Sequence, residues 1–215
     1  MTSAPMSGRK AQAARNDELI LQAARAVFTA DPGAPIAAVA EKAGVGISAL
    51  YRRYPSKEAL LQKLCGDGLK LYIEVTERAL AEEGDPWEAF AGYLRGIVDA
   101  DTNSLTIRLA GTFQPTEELG RDARRAGALA TEIHRRTVEA GVLRPDVTTA
   151  DIALLLEQVA SIRLGDERRV AELRHRYLTL LMDALRMPPA RRDLPGAPPT
   201  EEELSARWWS GPRPA

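Results

Sequence analysis

Apolar residues along most of this chain recur at intervals of three and four, and no stretch alternates with a period of two. That pattern predicts helices and no sheet, because positions i, i+3, i+4 and i+7 share one face of a 3.6-residue helix. Ile20, Ala24, Val27 and Phe28 form such a stripe in a first helix over 13–30, which Asp31-Pro32-Gly33 stops. Ile36, Val39, Ala40 and Ala43 share one face of a short second helix. Gly44 then permits a tight turn, since glycine takes a positive φ without a Cβ clash. A third helix covers 47–54, with Val45, Leu50 and Tyr54 turned inward. Pro55-Ser56 ends it, and Ser56 caps a fourth helix over 57–82, in which Gly66 and Gly68 are weak points.

Asp85-Pro86-Trp87-Glu88 opens the next helix, which runs to about 100. Asp85 caps it, Pro86 suits the first helical position, and Glu88 stands third, as in a capping box. A shorter helix lies near 104–113 before Gln114-Pro115 breaks the chain. Over 116–139, Leu119, Ala123, Ala126, Ala130, Ile133 and Thr137 form one stripe, closed by Gly141. The last two helices span 149–164 and 167–186. The first carries Ile152, Leu155, Leu156, Val159 and Ile162 on one side and Ala153, Leu154 and Ala160 beyond it, so it is covered on more than one face. Either the domain or a second subunit supplies that cover. Val170, Leu173, Tyr177, Leu180, Leu181, Ala184 and Leu185 give the last helix its stripe. Seven prolines after Met187 predict a largely disordered tail over 188–215, with room for a transient turn over 201–209.

Composition agrees with an all-α fold of about nine helices: Ala, Leu, Arg and Glu abound, and aromatics are only 5% of 215 residues. The formal charge of −1 hides an asymmetry. Residues 1–60 carry eight basic and five acidic side chains, a balance of +3 that leaves −4 to the remainder. A basic front on an acidic body points weakly to nucleic acid. Cys65 is the single cysteine, which excludes an intrachain disulfide and a multi-cysteine zinc site. It lies among Leu61, Leu64 and Leu69 and reads as a core thiol. No apolar run approaches ~18 residues, and residues 1–15 lack the apolar core of a signal peptide, so the expectation is a cytoplasmic protein without a membrane partner.

The informative stretch is PIAAVAEKAGVGISALYRRYPSKEALL, residues 35–61. It reads as a short helix, a glycine turn and a second short helix with a polar, basic outer side. A helix-turn-helix needs that arrangement, its second helix presenting residues to the major groove. Gly46, Ser48 and Ala49 keep the outer side shallow, and Tyr51, Arg52, Arg53 and Lys57 offer donors to phosphate. Each has a plainer reading: Tyr51 as a packing aromatic, Arg52 and Arg53 as a solvated pair, Ile47 as an apolar cap on the motif.

The run AGVGISALYRRYPSKEAL resembles the DNA-binding motif of the tetracycline-repressor (TetR) family, with Ala43, Gly44, Val45, Leu50, Tyr51, Tyr54, Lys57, Glu58 and Leu60 agreeing. The resemblance covers residues 15–64. It implies that Tyr51 and Lys57 hold phosphates, that Ile47 and Ser48 lie nearest the bases beside Gly46, and that Arg52 and Arg53 reach backbone or bases. Hydroxyl residues common in the family are replaced here by Pro35-Ile36, Gly46 and Ala49. The implied organisation is a flexible basic arm (1–12), a three-helix DNA-binding domain (13–60), a helical ligand-binding and dimerisation domain (61–187) and the tail. It also implies double-stranded operator DNA, a small-molecule effector and a second copy of the chain as partners, with no cofactor or metal. Tyr72, Trp87, Phe90, Tyr93, Arg108, Phe113 and His134 are the residues that could line an effector cavity, or simply pack. Ile152, Leu155, Leu156, Val159, Tyr177 and Leu181 are the expected dimer contacts. The competing readings are an all-helical enzyme and a sequestering protein that no longer binds DNA. The first lacks a zinc-protease, Walker or paired acidic motif; Asp99-Ala100-Asp101 alone is too little.

Overall fold

The computed structural model describes residues 8–102, 109, 111–187 and 194–206. Among them are nine helices and no strand: α1 (Gly8–Ala30), α2 (Ile36–Ala43), α3 (Ile47–Arg53), α4 (Lys57–Leu80), α5 (Pro86–Asp99), α6 (Glu117–Glu139), α7 (Thr149–Ala160), α8 (Glu167–Leu185) and α9 (Glu201–Ala206). The expected helix near 104–113 falls mostly outside the described residues.

Two cores hold the chain. The first gathers Ile20, Ala24 and Phe28 of α1, Ile36, Val39 and Ala40 of α2, Leu50 and Tyr54 around α3, and Leu60, Leu61, Leu64 and Cys65 of α4. It also takes in Leu109, Phe113 and Leu119 from further along the chain. The second joins Phe90, Tyr93, Leu94 and Ile97 of α5 to Ile133 of α6, Ile152 and Leu156 of α7, and Leu178, Met182 and Leu185 of α8. Helix α4 belongs to both regions and packs along α6, α5 and α1. Its N-terminal turn is tied to the loop before α6, where Gln62 Nε2 donates to the Gln114 carbonyl at 2.9 Å and the Gln114 amide donates to Glu58 at 3.1 Å.

Local chemistry sets the boundaries. Ser56 accepts from the Ala59 amide at 3.0 Å and starts α4. Asp85 accepts from the amides of Trp87 and Glu88 at 2.8 and 3.0 Å and starts α5. Glu88 does not complete the expected capping box; its carboxylate pairs with Arg95 at 3.2 Å. Gly44 ends α2 at φ 65°, the left-handed conformation that the turn requires. Gly96 serves close approach instead: a Cβ there would lie 2.6 Å from Cγ1 of Val75, so its absence lets α5 settle on α4.

Three boundaries depart from the sequence pattern. Helix α1 starts at Gly8 rather than 13, so Arg9 and Lys10 are helical. Helix α7 stops at Ala160 rather than 164 because its terminal carbonyls find side-chain donors. Arg174 Nη2 and Arg163 Nη1 each donate to the Ala160 carbonyl at 2.8 Å. The tail, read as largely disordered, holds α9, where the Thr200 hydroxyl accepts from the Glu203 amide at 3.1 Å and Glu203 Oε2 accepts from the Thr200 amide at 2.8 Å. Trp208 and Trp209 lie outside the described residues.

Candidate nucleic-acid interface

Helix α3 divides its residues cleanly. Leu50 is fully buried and Tyr54 is 5% exposed, which fixes the helix on α1 and α2. Gly46, Ile47, Ser48, Tyr51, Arg52 and Arg53 are all exposed, with Ile47 at 40% and Tyr51 at 47%.

The seven predicted contact residues are not equally available. Arg53 is committed to its own domain: Nε donates to Oδ1 of Asp17 at 2.7 Å and Nη2 to Oδ2 at 2.8 Å. The Tyr54 hydroxyl donates to the same Asp17 Oδ1 at 2.7 Å. This bidentate clamp joins α1 to the end of α3, and Arg53 holds the Asp17 carboxyl below its ordinary pKa. Burial first, and the bond to Asp17 second, push the Tyr54 phenol up. Lys57 is also engaged. Its ammonium donates to the carbonyls of Pro32 and Ala34, both at 2.8 Å, and stands 5.0 Å from the centroid of the Phe28 ring. Arg52 is exposed and makes no such bond to any described residue. Asp17 and the two loop carbonyls were not legible as parts of this site, because their partners lie 23 to 37 residues away.

The body holds a cleft of about 750 Å³ between α4, α5, α6 and α7, with Leu204 and Ser205 of α9 at its edge. Of the predicted lining residues, Tyr72, Phe90 and Tyr93 are on it. Three others are elsewhere. Trp87 is buried in the second core under the Arg186 guanidinium, 4.5 Å from the ring. Phe113 packs in the first core. His134 Nε2 lies 2.7 Å from the Val147 carbonyl and ties α6 to the loop before α7. Arg108 lies outside the described residues. The stripe of Ala123, Ala126, Gly127 and Ala130 on α6 leaves the room that large side chains would fill. That signal was visible in sequence, as a run of small residues on one helical face.

The expected dimer contacts differ in exposure. Ile152, Leu156 and Val159 are each under 5% exposed within a single chain, so α7 turns them to its own core. Leu155 and Leu181 are half-buried, and Tyr177 is 49% exposed. Leu164 (67%), Leu180 (56%) and Met187 (41%) are exposed as well.

Residues 20–64, the stretch that builds this interface, match the family model described as bacterial regulatory proteins, tetR family. The chain is similar to TetR-family regulators, in its head by the family model and over most of its length by solved structures. That likeness makes it a DNA-binding regulator of transcription. Similarity to solved TetR structures extends across the body. A TetR transcription regulatory protein from Mycobacterium vanbaalenii is 28% identical, with a TM-score of 0.54 over 82% of this chain and 98% of that one. A TetR regulator from Streptomyces coelicolor is 27% identical, with a TM-score of 0.53 over 80% and 99%. LfrR from Mycobacterium smegmatis, solved in complex with proflavine, shares the fold at 23% identity and a TM-score of 0.57 over 77% and 94%. No curated protein matches the chain. No described helix of the chain is long and apolar enough to cross a membrane.

Proposed function

We propose that this protein is a homodimeric repressor that reads an inverted-repeat operator through α3 and lets go when a small molecule enters the body cleft. The observation that carries the reading is the exposed row of Ile47, Ser48, Tyr51 and Arg52 on a helix anchored by fully buried Leu50. In this reading Gly46 allows close approach, Ile47 and Ser48 face base edges, and Tyr51 and Arg52 hold phosphates. Arg53 acts mainly through its clamp to Asp17. Lys57 braces the turn after α1, while the start of α4 offers backbone amides to a phosphate.

Two copies pair through the outer face of α8 and the loop that joins it to α7, where Tyr177, Leu180 and Leu164 are open. A two-fold dimer places its reading heads about 34–36 Å apart, one turn of DNA. Helix α4 supplies the lever. Leu69 and Tyr72 line the cleft, and the same helix carries Leu60, Leu61 and Leu64 into the head core. A ligand that pushes on the middle of α4 therefore moves the head. LfrR, which shares the fold, was solved in complex with proflavine, and that supports a small-molecule effector here.

Fluorescence anisotropy with DNA flanking the protein's own gene, at about 50 and 200 mM salt, tests the reading. Tight binding that weakens steeply with salt and is lost in Tyr51→Ala is the expected result. Salt-insensitive binding, or binding untouched by Tyr51→Ala, would overturn the role given to α3.

A further inference from the structure

Trp87, Phe90, Tyr93 and Tyr72 form an aromatic ladder that runs from the second core to the cleft. Successive ring centroids lie 5.9, 6.0 and 6.0 Å apart, and the last pair is edge-on at 88°. At the end of the ladder the Tyr72 and Tyr93 hydroxyl oxygens are 2.5 Å apart. Tyr93 is only 3% exposed, and both residues line the cleft.

Two phenols carry two hydroxyl hydrogens, and one of them lies between the oxygens. The other donates to no group among the described residues. A buried donor without an acceptor is disfavoured, and the cleft is the space that both tyrosines line. Burial raises both phenol pKa values, so the pair stays neutral and keeps its hydrogens. The remaining described walls are mostly alanine, glycine, leucine and isoleucine, with Thr102, Thr131, Thr149 and Ser205 among them and Arg124 and Glu157 as the charged lining residues, one of each sign.

We infer that the cleft takes a neutral, largely apolar molecule bearing an oxygen acceptor, a ketone or ester carbonyl, which receives the spare hydrogen of the Tyr72–Tyr93 pair. The inference rests on reading the cleft as the effector site and names what that site selects. A neutral walled cleft discriminates poorly among hydrocarbons of similar size, whereas a placed donor discriminates by the acceptor.

The test uses the full-length protein and two probes with the same ring. Prodan, 6-propionyl-2-(dimethylamino)naphthalene, carries the ketone, and its emission reports donation to the carbonyl. 2-(Dimethylamino)naphthalene lacks it. Saturable binding with the ketone favoured by about ten-fold is expected, the worth of one hydrogen bond. Tyr72→Phe/Tyr93→Phe should erase that preference and leave the amine unaffected. Replacing both partners with isosteric apolar groups is close to neutral for folding, which thermal melting checks. Should the double variant fail to fold, one of the two single variants must lose the preference. Gly127→Trp, built where no atom lies within 4 Å of a Cβ, fills the cleft and should abolish binding of both probes. Equal binding of the two probes, or a ketone preference that survives the double variant, overturns the ligand class and leaves the effector site standing. No saturable binding of either probe, or binding indifferent to Gly127→Trp, overturns the effector site and the ligand class together.

Discussion

In α3 the fully buried Leu50 and the exposed Tyr51 are neighbours in sequence, so one short segment specifies both the support and the surface of the reading head. In the body, Tyr72 and Tyr93 sit on α4 and α5, and the small residues opposite them come from α6. The head's function is written locally and the body's is assembled at long range. The two regions should therefore respond differently to substitution. In the head, adjacent positions separate folding from binding; in the body, the residues that shape the cleft also hold the core.

The largest effects test that separation. Phe90→Ala removes a fully buried ring from the second core and should cost roughly 4 kcal/mol, and Leu50→Ala should cost roughly 3 in the first. Because α4 joins both cores, each should lower one shared thermal transition followed by circular dichroism. Two resolved transitions would break the picture of a continuous α4 lever. Ile47→Ala, at a 40% exposed site, should change stability by less than about 0.5 kcal/mol while weakening operator binding. Next in size is Gly96→Ala. Its new methyl group meets Val75, a stiff β-branched side chain, and should cost roughly 1–3 kcal/mol as α5 moves off α4. A variant as stable as the parent would show that the helix pair relaxes freely.

The same contrast explains what could be read from sequence. The order and faces of the first four helices follow from apolar spacing, Gly44 and Ser56, all of which act within a few residues. The contacts within the site did not follow. Arg52 and Arg53 look alike in sequence, yet only Arg53 meets Asp17, 36 residues away. In the body, apolar spacing placed helices α5, α6 and α8 well. It did not reveal that Ile152, Leu156 and Val159 are buried within one chain, because a helix apolar on several sides does not show which face meets its own chain. Aromatic residues alone likewise misplace a cavity: Trp87 and Phe113 fill cores, and the space is made by alanine and glycine.

The two arginines sharpen the comparison within the head. Arg52→Ala should weaken operator binding about ten-fold and reduce the slope of log affinity against log salt by about 0.9, the signature of one lost phosphate contact. It should leave thermal stability nearly unchanged. Arg53→Ala should do the reverse, lowering stability by about 1 kcal/mol through the clamp with a smaller change in salt slope. Salt titrations of both variants on one operator decide between these roles. Equal slopes would mean that Arg53 leaves Asp17 when DNA arrives.

Asp17 is the smallest and most diagnostic change. Its carboxylate accepts two bonds from Arg53 and one from Tyr54, so Asp17→Asn should cost about 1 kcal/mol near neutral pH. The folded pKa is held below the ordinary 3.8, chiefly by the Arg53 hydrogen bonds. A group depressed in this way contributes stability above its unfolded pKa and loses it as pH falls through the folded value. The stability gap between parent and Asp17→Asn should therefore be constant from pH 7 to about 5 and close progressively below about 4. Urea denaturation at a series of pH values measures it. A gap that persists unchanged at the acid end would mean that the charge on Asp17 is immaterial, and that α1 holds the recognition helix by packing on Leu50 and Tyr54 alone.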